Sequence, residues 1–133
     1  MKGSCLCQSV QYEVTELCTP ILHCACQTCR KAHSAAFNTA AGVKSDAFKW
    51  LKGEEVLKFY ESSPGKKRFF CGNCGTQLLA KKEGAPHWVL RLGSLDDDPG
   101  AEPTGKIWAS HEVSWMSCTD GLPRYDEWMP SKS

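Results

Sequence analysis

Seven of the nine cysteines in this 133-residue chain fall into three short groups. Cys5-Leu6-Cys7 is a C-x-C pair, and Cys24-Ala25-Cys26-Gln27-Thr28-Cys29 is a C-x-C-x-x-C triplet. Cys71-Gly72-Asn73-Cys74 is a C-x-x-C pair followed by Gly75. Clustered thiolates suit a borderline-soft ion such as zinc, held tetrahedrally with Zn–S bonds of about 2.3 Å. In a strand, residues i and i+2 face the same side, so each C-x-C is expected to present two sulfurs together. A C-x-x-C segment folds into a knuckle whose backbone N–H groups bond the sulfurs, and a following glycine permits the positive φ such a knuckle often needs. Iron–sulfur ligation is compatible with the ligand type, but no ferredoxin spacing is present.

Seven ligands make one closed four-cysteine site with three left over, and spacing alone allows two partitions. Either Cys5, Cys7, Cys71 and Cys74 close a site and Cys24, Cys26 and Cys29 stand apart, or the two C-x-x-C knuckles, Cys26/Cys29 and Cys71/Cys74, form a zinc ribbon. A triplet standing apart is either an open site or a second structural site completed by a neighbouring nitrogen. His23 and His33 are the nearby donors. In a strand His23 points away from Cys24, and His33 is expected to line a pocket. Arg30 and Lys31, directly after the triplet, either bind an anionic carboxylate or solvate a surface turn. Cys18 and Cys118 lie outside the groups and read as packing or surface residues. Trp50, Trp88, Trp108 and Trp115 read as core or sheet-face packing, with Trp108 or Trp115 a candidate for the pocket rim. His87 and His111 carry no spacing signal and read as structural or exposed.

Positioning these residues falls to short strands. In "QSVQYEV", Val10, Tyr12 and Val14 share one face and Gln11 and Glu13 the other, the period-two pattern of a half-buried strand. Further strands are expected at Phe37–Ala41, Ala47–Leu51, Val56–Glu61, Lys67–Cys71, Gln77–Lys81, Trp88–Leu92 and Lys106–Ser110. Turn signals separate them at Lys52-Gly53, Ser63-Pro64-Gly65, Gly84-Ala85-Pro86 and Asp98-Pro99-Gly100. Thr28–His33 is the one short helix expected. This pattern describes a single all-β domain over residues 1–133, with a surface loop at "LDDDPGAEPTG" and a tail, "EWMPSKS", that frays at its end.

Length and composition agree with one compact domain. The formal charge of +1 argues against a nucleic-acid partner, and Lys66-Lys67-Arg68 and Lys81-Lys82 read as solvated strand ends. The first residues carry no apolar signal-peptide core, and no stretch approaches the roughly 18 apolar residues of a membrane span. The expected location is the cytoplasm, where an odd number of cysteines serves metal binding better than disulfides.

The segments "GSCLCQSVQYEV", "CACQTCRKAHSAAF", "RFFCGNCGTQL", "LRLGSLDD" and "KIWASHEVSWMSCTDGLPRYDE" occur in this order. Together, from about Gly3 to Glu127, they resemble the glutathione-dependent formaldehyde-activating enzyme family, which includes centromere protein V. The resemblance implies an Mss4-like β-tent of small antiparallel sheets organised around zinc, with two zinc ions per chain. It favours the first partition: Cys5, Cys7, Cys71 and Cys74 around a structural zinc, and Cys24, Cys26 and Cys29 around a catalytic zinc whose fourth position is open. It implies a carbon–sulfur lyase like S-(hydroxymethyl)glutathione synthase, acting on a small thiol such as glutathione or its aldehyde adduct; Arg30 and His33, from their positions after the triplet, are the candidate substrate-binding residues. The contrasting expectation is a zinc-stabilised β scaffold that binds a protein or nucleic acid without catalysis. Two departures stand out: Ala25 where many members have His between the cysteines, and Ser34 where many have Gly. The chain is also shorter than the enzymes to which the glutathione reaction was first assigned.

Overall fold

The computed structural model describes residues 1–116 and 121–130. Its elements are β1 (Lys2–Ser4), β2 (Gln11–Val14), β3 (Leu22–Cys24), α1 (Gln27–His33), β4 (Asn38–Val43), β5 (Phe48–Lys52), β6 (Leu57–Ser63), β7 (Lys66–Cys71), β8 (Gln77–Lys82), β9 (Trp88–Arg91) and β10 (Gly105–Ile107). Short 3₁₀ turns fill several connections. The strands form a three-stranded sheet in the order β1-β2-β5 and a seven-stranded sheet in the order β10-β3-β4-β9-β8-β7-β6. The fold is all-β. Every pairing is antiparallel except β10 with β3, which run parallel because the chain returns to the sheet edge after a long connection.

The alternation in "QSVQYEV" becomes β2, with Tyr12 and Val14 buried and Gln11 and Glu13 partly exposed. Tyr12 stacks on Phe48 at 5.3 Å between ring centroids, and Phe48 meets Trp50 and Trp88 edge-on at 4.7 and 5.9 Å. Trp88 belongs to the larger sheet, so this aromatic group joins the two sheets. Val43, Leu79 and Leu90 complete the core from the larger sheet's inner face. The Tyr12 hydroxyl shares a hydrogen bond of 2.6 Å with Ser94 Oγ, which satisfies both buried groups.

Most expected strands lie within a few residues of those observed. The expected strand Lys106–Ser110 ends at Ile107, where Trp108 turns left-handed (φ 55) into the 3₁₀ turn Ala109–His111. β1 and β3, three residues each, had no alternating pattern to signal them. Cys5-Leu6-Cys7 is a turn rather than a strand: Gln8 N–H donates to the Cys5 carbonyl, Cys5 N–H to the Val10 carbonyl, and Gln8 is left-handed (φ 67). Arg68, expected at a solvated strand end, is buried. Cys118 lies outside the described residues.

Gly53 holds that turn in place. Its φ is 84, and a Cβ there would run into the Ser9 carbonyl oxygen. Gly53→Ala is expected to destabilise the protein by roughly 2 kcal/mol or more, through the left-handed backbone and the clash together. Thermal or urea unfolding measures this.

Candidate metal centres and the adjoining cavity

The structure brings together Cys5, Cys7, Cys71 and Cys74, and separately Cys24, Cys26 and Cys29, with the sulfurs in each group within 4.8 Å of one another. The two C-x-x-C knuckles do not share a cluster. The described cysteines are all free thiols.

The first group joins the β1–β2 turn to the knuckle after β7. Its sulfurs lie 3.7 Å apart between Cys5 and Cys7 and 3.8 Å apart between Cys7 and Cys71. Four sulfurs around one ion at metal–sulfur bonds of about 2.3 Å would stand about 3.8 Å apart, so this donor set fits a tetrahedral ion. Backbone donors surround it: Val10 N–H reaches Cys5 Sγ at 3.2 Å and Asn73 N–H reaches Cys71 Sγ at 3.4 Å. Gly75, at φ 82, closes the knuckle as the spacing suggested.

The second group is built on three successive pieces of backbone. Cys24 ends β3, Cys26 caps the N-terminus of α1, and Cys29 lies buried in its first turn. Cys29 N–H donates to Cys26 Sγ at 3.3 Å, which completes the knuckle. Ala25 is fully buried and its N–H donates to the Ile107 carbonyl, so the parallel strand β10 pins the triplet to the sheet edge. Ser34 ends α1 in the left-handed region (φ 49), the backbone state that glycine adopts without strain. No fourth His, Cys, Asp or Glu joins this group among the described residues.

The thiols are electrostatically divided. Burial pushes Cys5 up to about 11 and Cys24 up to about 12. A hydrogen bond from Thr76 pulls Cys74 down to about 5. Burial works to raise Cys26 as well, but the Cys29 N–H and the adjacent thiols outweigh it and the net direction is down. Closely packed sulfurs compete for protons in this way, and a divalent cation removes the conflict by holding all of them as thiolates. Both clusters are therefore placed to hold a metal ion.

The triplet opens onto a cavity of about 330 Å³. Register explains its floor. Residues paired across a sheet share a face, so the pairs Leu22–Ala40, Ala40–Arg91, Gly42–Val89, Val89–Ala80 and Ala80–Arg68 place one row on the outer side of the larger sheet. Cys24 and Lys66 extend that row by the period of two. Small residues at 40 and 42 leave the space; a Cβ on Gly42 would strike the His87 ring and Thr19. Trp108, 56% exposed, borders the cavity, while Trp115 is exposed and Trp50 and Trp88 pack against the core. His87 lines the cavity, and His111 Nδ1 accepts from Gln27 N–H at 3.4 Å.

His23 points away from Cys24, bonded to Thr39 Oγ1 at 2.8 Å. Arg30 donates to the Ala25 carbonyl at 3.3 Å and lines a separate groove with Lys31, Trp115 and Met116. His33 lines an adjoining cavity that Arg91 also reaches. Sequence reasoning missed Arg68 and Arg91. The signal for Arg68 was its alternation with Phe69 in β7; for Arg91 it was a lone charge ending an apolar strand.

Burial and the guanidinium groups of Arg91 and Arg68 hold His33 down to about 4, so it is neutral at pH 7. The unfolded chain protonates first, near about 6.5. The stabilising effect of neutral His33 is thus fully present above that value and is lost as pH falls through about 4. His33→Gln is expected to lose less thermal stability than wild type across this interval, as measured by Tm against pH.

A sequence model of the family described as "Glutathione-dependent formaldehyde-activating enzyme" matches residues 1–111. A Podospora anserina protein named "Putative glutathione-dependent formaldehyde-activating enzyme" is 32% identical over 82 residues, covering 59% of this chain and 38% of the relative. The chain thus spans well under half of that relative's length. A crystal structure of a Rhodobacter sphaeroides protein superposes with a TM-score of 0.64 at 25% identity, covering 80% of this chain and 99% of that one.

Proposed function

This chain belongs to the glutathione-dependent formaldehyde-activating enzyme family, and from that premise we propose that it is a zinc-dependent carbon–sulfur lyase acting on a thiol–aldehyde adduct. The reaction joins a thiol such as glutathione to a small aldehyde such as formaldehyde. The C–S bond forms as the carbonyl π bond breaks, and the oxygen takes up a proton; the reverse direction splits the adduct. Cys24, Cys26 and Cys29 hold the catalytic zinc, and Cys5, Cys7, Cys71 and Cys74 hold a structural one. Zinc bound at the triplet supplies a Lewis acid that favours thiolate over thiol and polarises a carbonyl.

The observation that carries this reading is the triplet's position. Three clustered sulfurs, without a fourth ligand among the described residues, face a cavity large enough for a small substrate. Catalytic zinc sites keep such an open position, whereas structural sites are closed. The chain's own residues do the rest. Lys66, Arg68 and Arg91 give the cavity a positive field that favours the thiolate form of an entering thiol. The small floor residues admit substrate to the sulfurs, and Trp108 borders one side. The cytoplasm, rich in free thiols, is the matching compartment; no helix among the described residues is long and apolar enough to cross a membrane.

The test is the rate at which formaldehyde and glutathione exchange with their adduct, followed by NMR magnetisation transfer. Zinc-loaded protein is expected to accelerate the exchange, and Cys26→Ser to reduce the acceleration at least about tenfold while the fold persists. Cys74→Ser is expected instead to lower stability by several kcal/mol, about 3 or more, because it opens the structural centre. No acceleration at high concentrations of zinc-loaded wild type would count against the enzyme reading.

A further inference from the structure

Among the described residues, three buried side-chain nitrogens have no hydrogen-bond partner: Arg68 Nη1, Arg91 Nη2 and His33 Nε2. They belong to one neighbourhood. Both arginines line the cysteine cavity, and His33 meets Arg91 in the adjoining one. Arg68 and Arg91 are each only 5% exposed. Arg68 engages Ser62 through Nε at 2.9 Å, which leaves Nη1 unused.

A buried guanidinium is costly without a counter-charge, and two near each other are costlier. Among the described residues neither has a carboxylate at ion-pair distance, and the one ion pair is Lys106–Glu112. No Asp or Glu among the described residues lines the cavity, whereas Lys66 adds a third cationic side chain. The cysteines offset part of this charge. Three thiolates around a dication carry a net charge of −1, against +2 from the two arginines, so the cavity retains positive charge.

We propose that Arg68 and Arg91 form a carboxylate-binding subsite on the cavity floor beside Cys24, Cys26 and Cys29. The planar guanidinium fork matches a carboxylate's two oxygens, which an uncharged aldehyde cannot satisfy. That the carboxylate belongs to a substrate rests on the thiol–aldehyde reading above. The carboxylate is carried either by the thiol, as in glutathione, or by the aldehyde, as in a 2-oxo acid.

The test is calorimetric binding to the zinc-loaded full chain, using two matched pairs of probes. 3-Mercaptopropionate against its amide isolates a carboxylate on the thiol; glyoxylate against glyoxylamide isolates one on the aldehyde. In at least one pair the carboxylate is expected to bind about tenfold tighter or more, and Arg68→Gln and Arg91→Gln are each expected to erase most of that preference. The pair showing the preference identifies which substrate carries the charge. If the glutamine variants do not fold, Arg68→Lys and Arg91→Lys keep the charge, lose the fork and are expected to weaken the preference. No preference in wild type, or a preference unchanged in the variants that fold, overturns the subsite. That result is also what arginines that merely neutralise the thiolates would give. If both thiols bind alike, the subsite on the thiol arm fails while the thiol reading stands. If neither thiol binds but glyoxylate binds with arginine dependence, the subsite stands and the thiol reading falls.

Discussion

The contact between two turns 64 residues apart, where Cys7 Sγ meets Cys71 Sγ at 3.8 Å, fixes the relation of the two sheets. Cys5 and Cys7 leave the small sheet after β1, and Cys71 and Cys74 leave the large sheet at the end of β7. An ion held by all four sulfurs would crosslink these turns, and the Tyr12–Phe48–Trp88 aromatic group packs the sheets against each other elsewhere. Cys5 and Cys71 are fully buried within the same core cluster as Tyr12 and Leu90. Ligation at these sulfurs would therefore act on the same unit as core packing, and a bound metal would contribute directly to folding free energy.

The second centre depends on that frame through register. Once β7, β8 and β9 are paired as observed, Arg68 and Arg91 must face the side opposite the Leu79–Leu90 core pair. Once β3 joins β4, Cys24 must share that outer side. The cavity is thus a property of the sheet's outer face, with the cysteine triplet at one edge and cationic residues across its floor. The non-glycine residues with positive φ among those described, Gln8, Ser34 and Trp108, follow the same geography. Gln8 succeeds Cys7, Ser34 ends the helix bearing Cys29, and Trp108 borders the cavity. Local backbone strain is concentrated around the two centres, as at sites where geometry is held for chemistry.

The cysteine groups, the alternation that became β2 and the turn at Gly53 were legible in the sequence because each is a local signal. The grouping of Cys5/Cys7 with Cys71/Cys74 was not legible from spacing, for which a ribbon is the usual reading; that choice depends on strand pairing far along the chain. Arg68 was invisible for a related reason. A basic residue after two lysines has the local signature of a solvated strand end, and only the alternation of β7 turns it into the cavity on the sheet's outer face while Lys67 stays exposed. β1 and β3 were too short to establish a period. Arg30, adjacent in sequence to the triplet, lines a different groove, whereas Arg91, far along the chain, lines the cavity. Nearness along the chain was the weaker guide.

The proposed arrangement is one chain carrying two metal centres of different character, one closed and one open. Zinc per chain, measured by elemental analysis after reconstitution and removal of excess metal, tests it most directly when paired with circular dichroism. The account predicts two zinc ions in wild type, falling to one in Cys26→Ser with the β-sheet spectrum intact. A wild-type protein that binds one zinc after reconstitution, or a Cys26→Ser protein that still binds two, would contradict it.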